Sequence, residues 1–148
     1  MDMLAKFKLY ARLGFTLVFA GACLLAVLAG WLIPLVYGAG FKESVVAFRL
    51  LLPGIVFASG SKLMALLVVR TGRIYYNLYA TAIGVFFTVG LNIILIPELG
   101  LKGAAISSTV AYFFIFIAVL WAVFKRLGFP WGNYFFLQGG DIAKLFRD

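Results

Sequence analysis

Four long apolar stretches alternate with short polar connectors along the chain. The apolar stretches cover residues 13–36, 46–69, 74–97 and 103–124. At a rise of 1.5 Å per residue, each would form a helix of about 33–36 Å, which is long enough to cross a hydrocarbon core of about 30 Å. The pattern therefore predicts an all-α integral membrane protein with four transmembrane helices.

The connectors contain the residues that tight turns at a membrane surface require. They read YGAGFKES, RTGR and ELGLK, and each contains glycine and at least one charged residue. The second apolar stretch differs from the others because Arg49, Pro53 and Lys62 interrupt it. These are the first positions to consider for chemistry inside the membrane.

The composition agrees with a lipid environment. The chain is 65% hydrophobic and 12% charged, whereas soluble domains are typically about 45–50% apolar and about 25% charged. It has no histidine and one cysteine, Cys23, so neither an internal disulfide nor a His/Cys metal cluster can form. The sequence shows no nucleophile with a base, no paired carboxylates and no glycine-rich phosphate loop. We therefore expect neither an enzyme nor a bound cofactor.

The cations indicate topology. The net charge is +8, but the basic residues come in ones and twos between apolar blocks, which is typical of membrane topology rather than of a nucleic-acid surface. One side has Lys6, Lys8, Arg12, Arg70, Arg73, Lys125 and Arg126, and the other has Lys42 and Lys102. The positive-inside rule predicts that segments 1–12 and 125–148 are both cytoplasmic.

A cleaved secretory signal is the alternative for residues 13–36, because basic residues precede them. The apolar region of such a signal usually has about 7–15 residues. This stretch is longer and continues into Trp31 and Pro34, so we expect a retained transmembrane helix.

The segment after Gly128 is rich in aromatic residues that suit the headgroup layer: Trp131, Tyr134, Phe135 and Phe136. The final DIAKLFRD predicts a short helix with Asp141 as its N-cap and one apolar face, formed by Ile142, Leu145 and Phe146. A docking helix and an unstructured interfacial tail both fit this pattern.

Each apolar stretch carries mostly small residues at four-residue spacing, which allows helices to pack closely in lipid. The four stripes are Ala22, Ala26 and Gly30; Gly54, Ala58 and Lys62; Ala80, Gly84, Thr88 and Asn92; and Gly103, Ser107 and Ala111. We therefore expect a packed bundle rather than four isolated anchors.

Three polar residues inside the stretches are candidates for substrate binding. Lys62 continues the Gly54 stripe, and a cation within a span costs a few kcal/mol, although Lys62 is seven residues from the cytoplasmic end and its stem could also reach the interface. Arg49 lies near the outer end and on the side of its helix opposite to Lys62, and anchoring at the interface is its alternative role. Asn92 fits an interhelical hydrogen bond as well as a substrate contact. No Asp or Glu lies within any stretch, which favours an anionic ligand such as a phosphate headgroup.

Several motifs occur in an order that resembles one transporter family. The segments LIPLVYGAGF, AFRLLLPGIVFASGSKLMALLVVRTGRIYYNL, LNIILIPELGLKGAAISSTVAY and GGDIAKLF are similar to the C-terminal part of polysaccharide flippases. These form the O-antigen and capsule side of the multidrug/oligosaccharidyl-lipid/polysaccharide exporter superfamily. The matching residues are Tyr37, Gly38, Gly72, Arg73, Pro97, Gly100, Gly103, Ala104 and Ala105.

The last five of these residues have an architectural explanation. We expect Pro97 to end the third helix and Gly100 to allow the turn. Gly103, Ala104 and Ala105 then let the fourth helix begin pressed against its neighbour. This connector is expected to be structural and not a binding loop.

The resemblance implies a protein of the bacterial cytoplasmic membrane that moves undecaprenyl-pyrophosphate-linked oligosaccharide by alternating access. In the family, two bundles of six helices flank a cationic cavity, and the four stretches would be the last four helices of the second bundle. The implied partners are membrane lipid, the lipid-linked anionic glycan, and the remaining flippase helices or a second copy. Since eight family helices have no counterpart, we expect a truncated reading frame or a split-gene subunit that is not competent alone.

Two alternatives stay open. A small-molecule exporter of the same superfamily is disfavoured because such exporters usually rely on a carboxylate within the membrane. A scaffold of four helices that transports nothing would dimerise through the small-residue stripes.

Overall fold

The computed structural model of the protein describes residues 3–70, 72 and 74–127. It contains α1 (Met3–Tyr37), a short 3-10 turn (Ala39–Phe41), α2 (Lys42–Arg70), α3 (Tyr75–Leu99) and α4 (Leu101–Leu127). All four α-helices are long and apolar enough to cross a membrane, which confirms that part of the fold prediction. The segment from Gly128 and its predicted helix lie outside the described residues, as does Arg73.

Glycines with positive φ end the helices at two of the predicted connectors. Gly38 has a φ of 93° and its N–H donates to the Pro34 carbonyl at 2.9 Å. Gly100 has a φ of 55° and donates to the Ile96 carbonyl at 2.8 Å. A side chain at such a φ would be strained, so glycine is the residue that allows each chain reversal.

The prediction that Pro97 ends the third helix is wrong, since α3 continues to Leu99. A proline ring has a helical φ, and near the end of a helix its missing N–H removes a single backbone hydrogen bond. Gly100 ends the helix instead, because its backbone conformation departs from the helical one.

The helices lie in the spatial order α1, α2, α4, α3. The fourth helix packs between α2 and α3, whereas α1 packs mainly on α2. Within the described residues, α1 and α3 have no packing interface with each other. The expected bundle is therefore an open array, and α1 and α3 expose most of their apolar side chains.

The buried core lies where α2, α3 and α4 meet, towards the connection between α2 and α3. Its buried members are Met64, Leu67, Val68, Ala80, Val119 and Val123. Lipid tails are as apolar as these side chains, so close packing rather than removal from water must hold the helices together. Three of them, Met64, Val68 and Val123, are fully buried, as tight packing requires.

Small residues of three stripes lie at the helix contacts, as expected. A Cβ at Gly54 would lie 2.9 Å from the Thr109 Cα atom, and a Cβ at Gly103 would overlap the Leu95 carbonyl. Next to Gly54, the Thr109 hydroxyl donates to the Leu50 carbonyl at 2.7 Å. The Gly103 stripe continues through buried Ser107 and Ala111. Backbone-to-backbone approach thus fixes the positions of α2 and α3 on α4.

Gly84 supports a first prediction about this packing. A Cβ at Gly84 would overlap the end of the Ile115 side chain, which is flexible. We expect Gly84→Ala to lower the free energy of unfolding by about 1–3 kcal/mol, as overpacking usually does. Adding Ile115→Ala should recover part of this loss, because it removes the obstructing atoms. Denaturant titration of both single variants and the double variant in detergent measures the coupling, and strictly additive losses would contradict the contact.

Candidate functional site

Lys62 lies in a cleft of about 280 Å³ that α2, α3 and α4 form together. The polar side chains that line it with Lys62 are Ser61, Asn77, Thr81 and Tyr112. Lys62 is exposed, and its ammonium group makes no hydrogen bond or ion pair within the described part of the chain. No Asp or Glu occurs among the described residues that line the cleft. The electrostatics of this cleft therefore favour an anion.

Most hydroxyl donors in the cleft are already used. The Ser61 hydroxyl donates to the Ala58 carbonyl and the Thr81 hydroxyl to the Asn77 carbonyl, each at 2.8 Å. The Asn77 side-chain N–H group donates to the Ala65 carbonyl at 3.4 Å, whereas its Oδ1 atom is buried and has no partner among the described residues. The cleft thus offers the ammonium group of Lys62 to an anion.

Asn77, Thr81 and Tyr112 are residues of the cleft that sequence reasoning missed. A signal for Asn77 was present, because it precedes Ala80 by three residues and so extends the Ala80 stripe by one turn. Nothing comparable distinguishes Tyr112 from the many other aromatic residues. Tyr112 reaches the cleft only because α4 packs between α2 and α3.

Arg49 lies on the other side of α2, as the sequence predicted, and not in the Lys62 cleft. Its Nε atom donates to the Ala26 carbonyl of α1 at 2.8 Å. It lines a separate groove between α1 and α2. The structure therefore does not bring Arg49 and Lys62 to one ligand.

Asn92 is half-buried on α3 and lines neither the Lys62 cleft nor the groove beside Arg49. It lies fifteen residues after Asn77, which is about 22 Å along a helix. Its Oδ1 atom is buried and accepts no hydrogen bond within the described part of the chain. The interhelical bond expected at Asn92 is thus not seen there, and the three candidate substrate residues occupy three different places.

Two further results bear on the chemistry of the chain. Within the described residues, no group of three His, Cys, Asp or Glu side chains lies together as a metal site would need. Comparisons with protein-family models, curated proteins and solved structures give no match to this chain. The resemblance to polysaccharide flippases therefore stays a prediction.

Proposed function

We propose that the chain is part of a flippase for oligosaccharides linked to a lipid pyrophosphate, and that Lys62 contacts the pyrophosphate. The observation that carries this proposal is the Lys62 ammonium group, unpaired within the described residues, in a cleft between three helices of membrane-spanning length. The motif resemblance supports the same substrate class. Under this proposal the chain lies in the bacterial cytoplasmic membrane with both termini in the cytoplasm.

Charge supports an anionic substrate at this cleft. An unpaired cation within a membrane helix is costly, and an anion bound beside Lys62 would reduce that cost.

Transport by alternating access requires two halves that move against each other. The proposal therefore includes further helices, contributed by other flippase segments or by a second copy of this chain. The exposed apolar faces of α1 and α3 give such helices surfaces to pack on. The four helices described here would supply the Lys62 cleft to that assembly.

Substitution of Lys62 tests the proposal in a cell that depends on this chain for its surface glycan. Lys62→Ala should lower glycan export about tenfold, the effect of losing roughly 1.4 kcal/mol of contact, and lipid-linked glycan should accumulate on the inner face. Lys62→Arg should retain most export because the charge remains. Lys102→Ala, which removes an exposed cation at the opposite end of the helices, is the matched control.

Normal export by Lys62→Ala at a normal protein level would contradict the pyrophosphate contact. Drug susceptibility that follows expression of the chain would instead support a small-molecule exporter. The scaffold would be supported by two results together. Deletion of the chain would leave both glycan export and drug susceptibility normal, and cross-linking would trap a dimer. Cross-linking that finds monomer alone would count against that last alternative.

A further inference from the structure

A groove of about 420 Å³ runs between α1 and α2, on the side of α2 opposite to the Lys62 cleft. Its lining is almost entirely apolar and includes Phe15, Phe19, Ala22, Val56 and Phe57. Arg49 is the charged residue among the described residues that line it. The groove therefore presents an apolar surface and a cation to the molecules that surround α1 and α2.

The Arg49 guanidinium packs against the small-residue stripe of α1. The Nε atom donates to the Ala26 carbonyl at 2.8 Å. One turn further, a Cβ at Gly30 would lie 3.2 Å from Nη2 of Arg49, so glycine leaves the room that the group occupies. This stripe accommodates a guanidinium group, whereas the stripes of α2, α3 and α4 accommodate a neighbouring helix.

Most of the hydrogen-bonding capacity of Arg49 is unused. A guanidinium group has five N–H donors in a planar fork, and within the described residues the Arg49 side chain makes its one hydrogen bond through Nε. The four N–H groups on Nη1 and Nη2 remain for another acceptor. A phosphate is an acceptor with which such a fork can form two parallel bonds.

Arg49 lies at the end of the groove nearest to the start of α2. It lies seven residues after Lys42, the first residue of α2, which is about 10 Å along the helix. From Ala26 to Phe15 the groove follows α1 for eleven residues, or about 16 Å. The cation thus lies towards the membrane surface and the apolar length extends towards the bilayer centre.

We propose that this groove binds one acyl chain of an anionic phospholipid, whose phosphate contacts the Arg49 guanidinium. Charge complementarity identifies the headgroup, and the apolar lining identifies the tail. The inference concerns a different face of α2 from the Lys62 cleft and does not depend on the proposed flippase function. It also assigns Arg49 to a bound membrane lipid rather than to the transported substrate.

Lipid retention by the purified chain tests the proposal. The protein, in detergent with equal amounts of phosphatidylglycerol and phosphatidylcholine, is analysed by native mass spectrometry. The wild type should retain phosphatidylglycerol about tenfold more, a preference of roughly 1.4 kcal/mol. Arg49→Gln should bring the ratio close to one, and Arg49→Lys should keep a reduced preference. Lys102→Gln, which removes one exposed cation elsewhere, should leave the ratio unchanged.

A second variant separates the tail from the headgroup. Ala22→Trp fills the groove while Arg49 stays, so retention of both lipids should fall, whereas Ala82→Trp on the exposed face of α3 should have no effect. This pair keeps the test valid even if Arg49→Gln does not fold. Equal retention of the two lipids by the wild type would overturn the proposal. Full displacement of phosphatidylglycerol by excess inorganic phosphate would also overturn it, because the site would then bind a free anion.

Discussion

Gly103→Ala is expected to disrupt the α3–α4 hairpin and to lower the free energy of unfolding by at least about 3 kcal/mol, the upper end of overpacking costs. The added Cβ would overlap the carbonyl group of Leu95 and would lie 3.1 Å from the backbone nitrogen of Ile96. These are backbone atoms of the preceding helix, and only Gly100 separates the two helices. The chain therefore has no flexible group that could move aside.

Gly90→Ala is the matched control for this prediction. It introduces the same methyl group into α3, at a glycine whose Cβ would meet nothing within 4 Å. Because alanine favours a helix over glycine by about 0.5–1 kcal/mol, Gly90→Ala should be neutral or stabilising. Denaturant titration in detergent compares the two variants. A similar small change in both would show that the hairpin is looser than the structure indicates.

Gly54→Ala is expected to separate α2 from α4, with a loss of about 2–3 kcal/mol in the free energy of unfolding. The new Cβ would lie 2.9 Å from both the Cα atom and the hydroxyl oxygen of Thr109. Moving the helices apart also stretches the hydrogen bond from the Thr109 hydroxyl to the Leu50 carbonyl. Interhelical bonds in membrane proteins contribute about 0.6 kcal/mol on average, so the steric effect should dominate.

Two variants distinguish the steric effect from the lost hydrogen bond. Thr109→Val removes the hydroxyl group but leaves Gly54 in place, and should cost about 0.6 kcal/mol. Gly21→Ala introduces a methyl group in α1 where nothing lies within 4 Å, and should not destabilise the protein. If Gly54→Ala lost no more stability than Thr109→Val, close packing of α2 on α4 would not be the main contribution.

The helices themselves were predictable because their signal is local. An apolar run such as residues 74–97 needs only its own length and composition to identify it, since each helix satisfies its backbone hydrogen bonds internally. The helix ends were predicted less accurately, as Pro97 shows. Proline was expected to stop α3, but the helix continues to Leu99 and ends at Gly100, which has a positive φ. A helix end depends on the conformation of one residue, which a residue type predicts only in part.

The candidate site was predictable only in part. Lys62 can be recognised from the sequence alone because a cation within an apolar run is costly. Its neighbours Asn77 and Tyr112 lie on other helices, so they depend on the spatial order of the helices. Periodicity placed Arg49 on the side of α2 opposite to Lys62, but its partner on that side, the Ala26 carbonyl, is a backbone atom of a different helix.

The sequence by itself determined the number of helices, their apolar character and the small-residue faces, because these properties depend on residues close together in the chain. Only the tertiary structure decided that α4 lies between α2 and α3, that Lys62 and Asn77 line one cleft, and that the α1 stripe receives a guanidinium group. In lipid, every helix surface is apolar enough for several neighbours. The order of the helices therefore follows from close fits such as Gly103 against Leu95, which a hydrophobicity pattern does not contain.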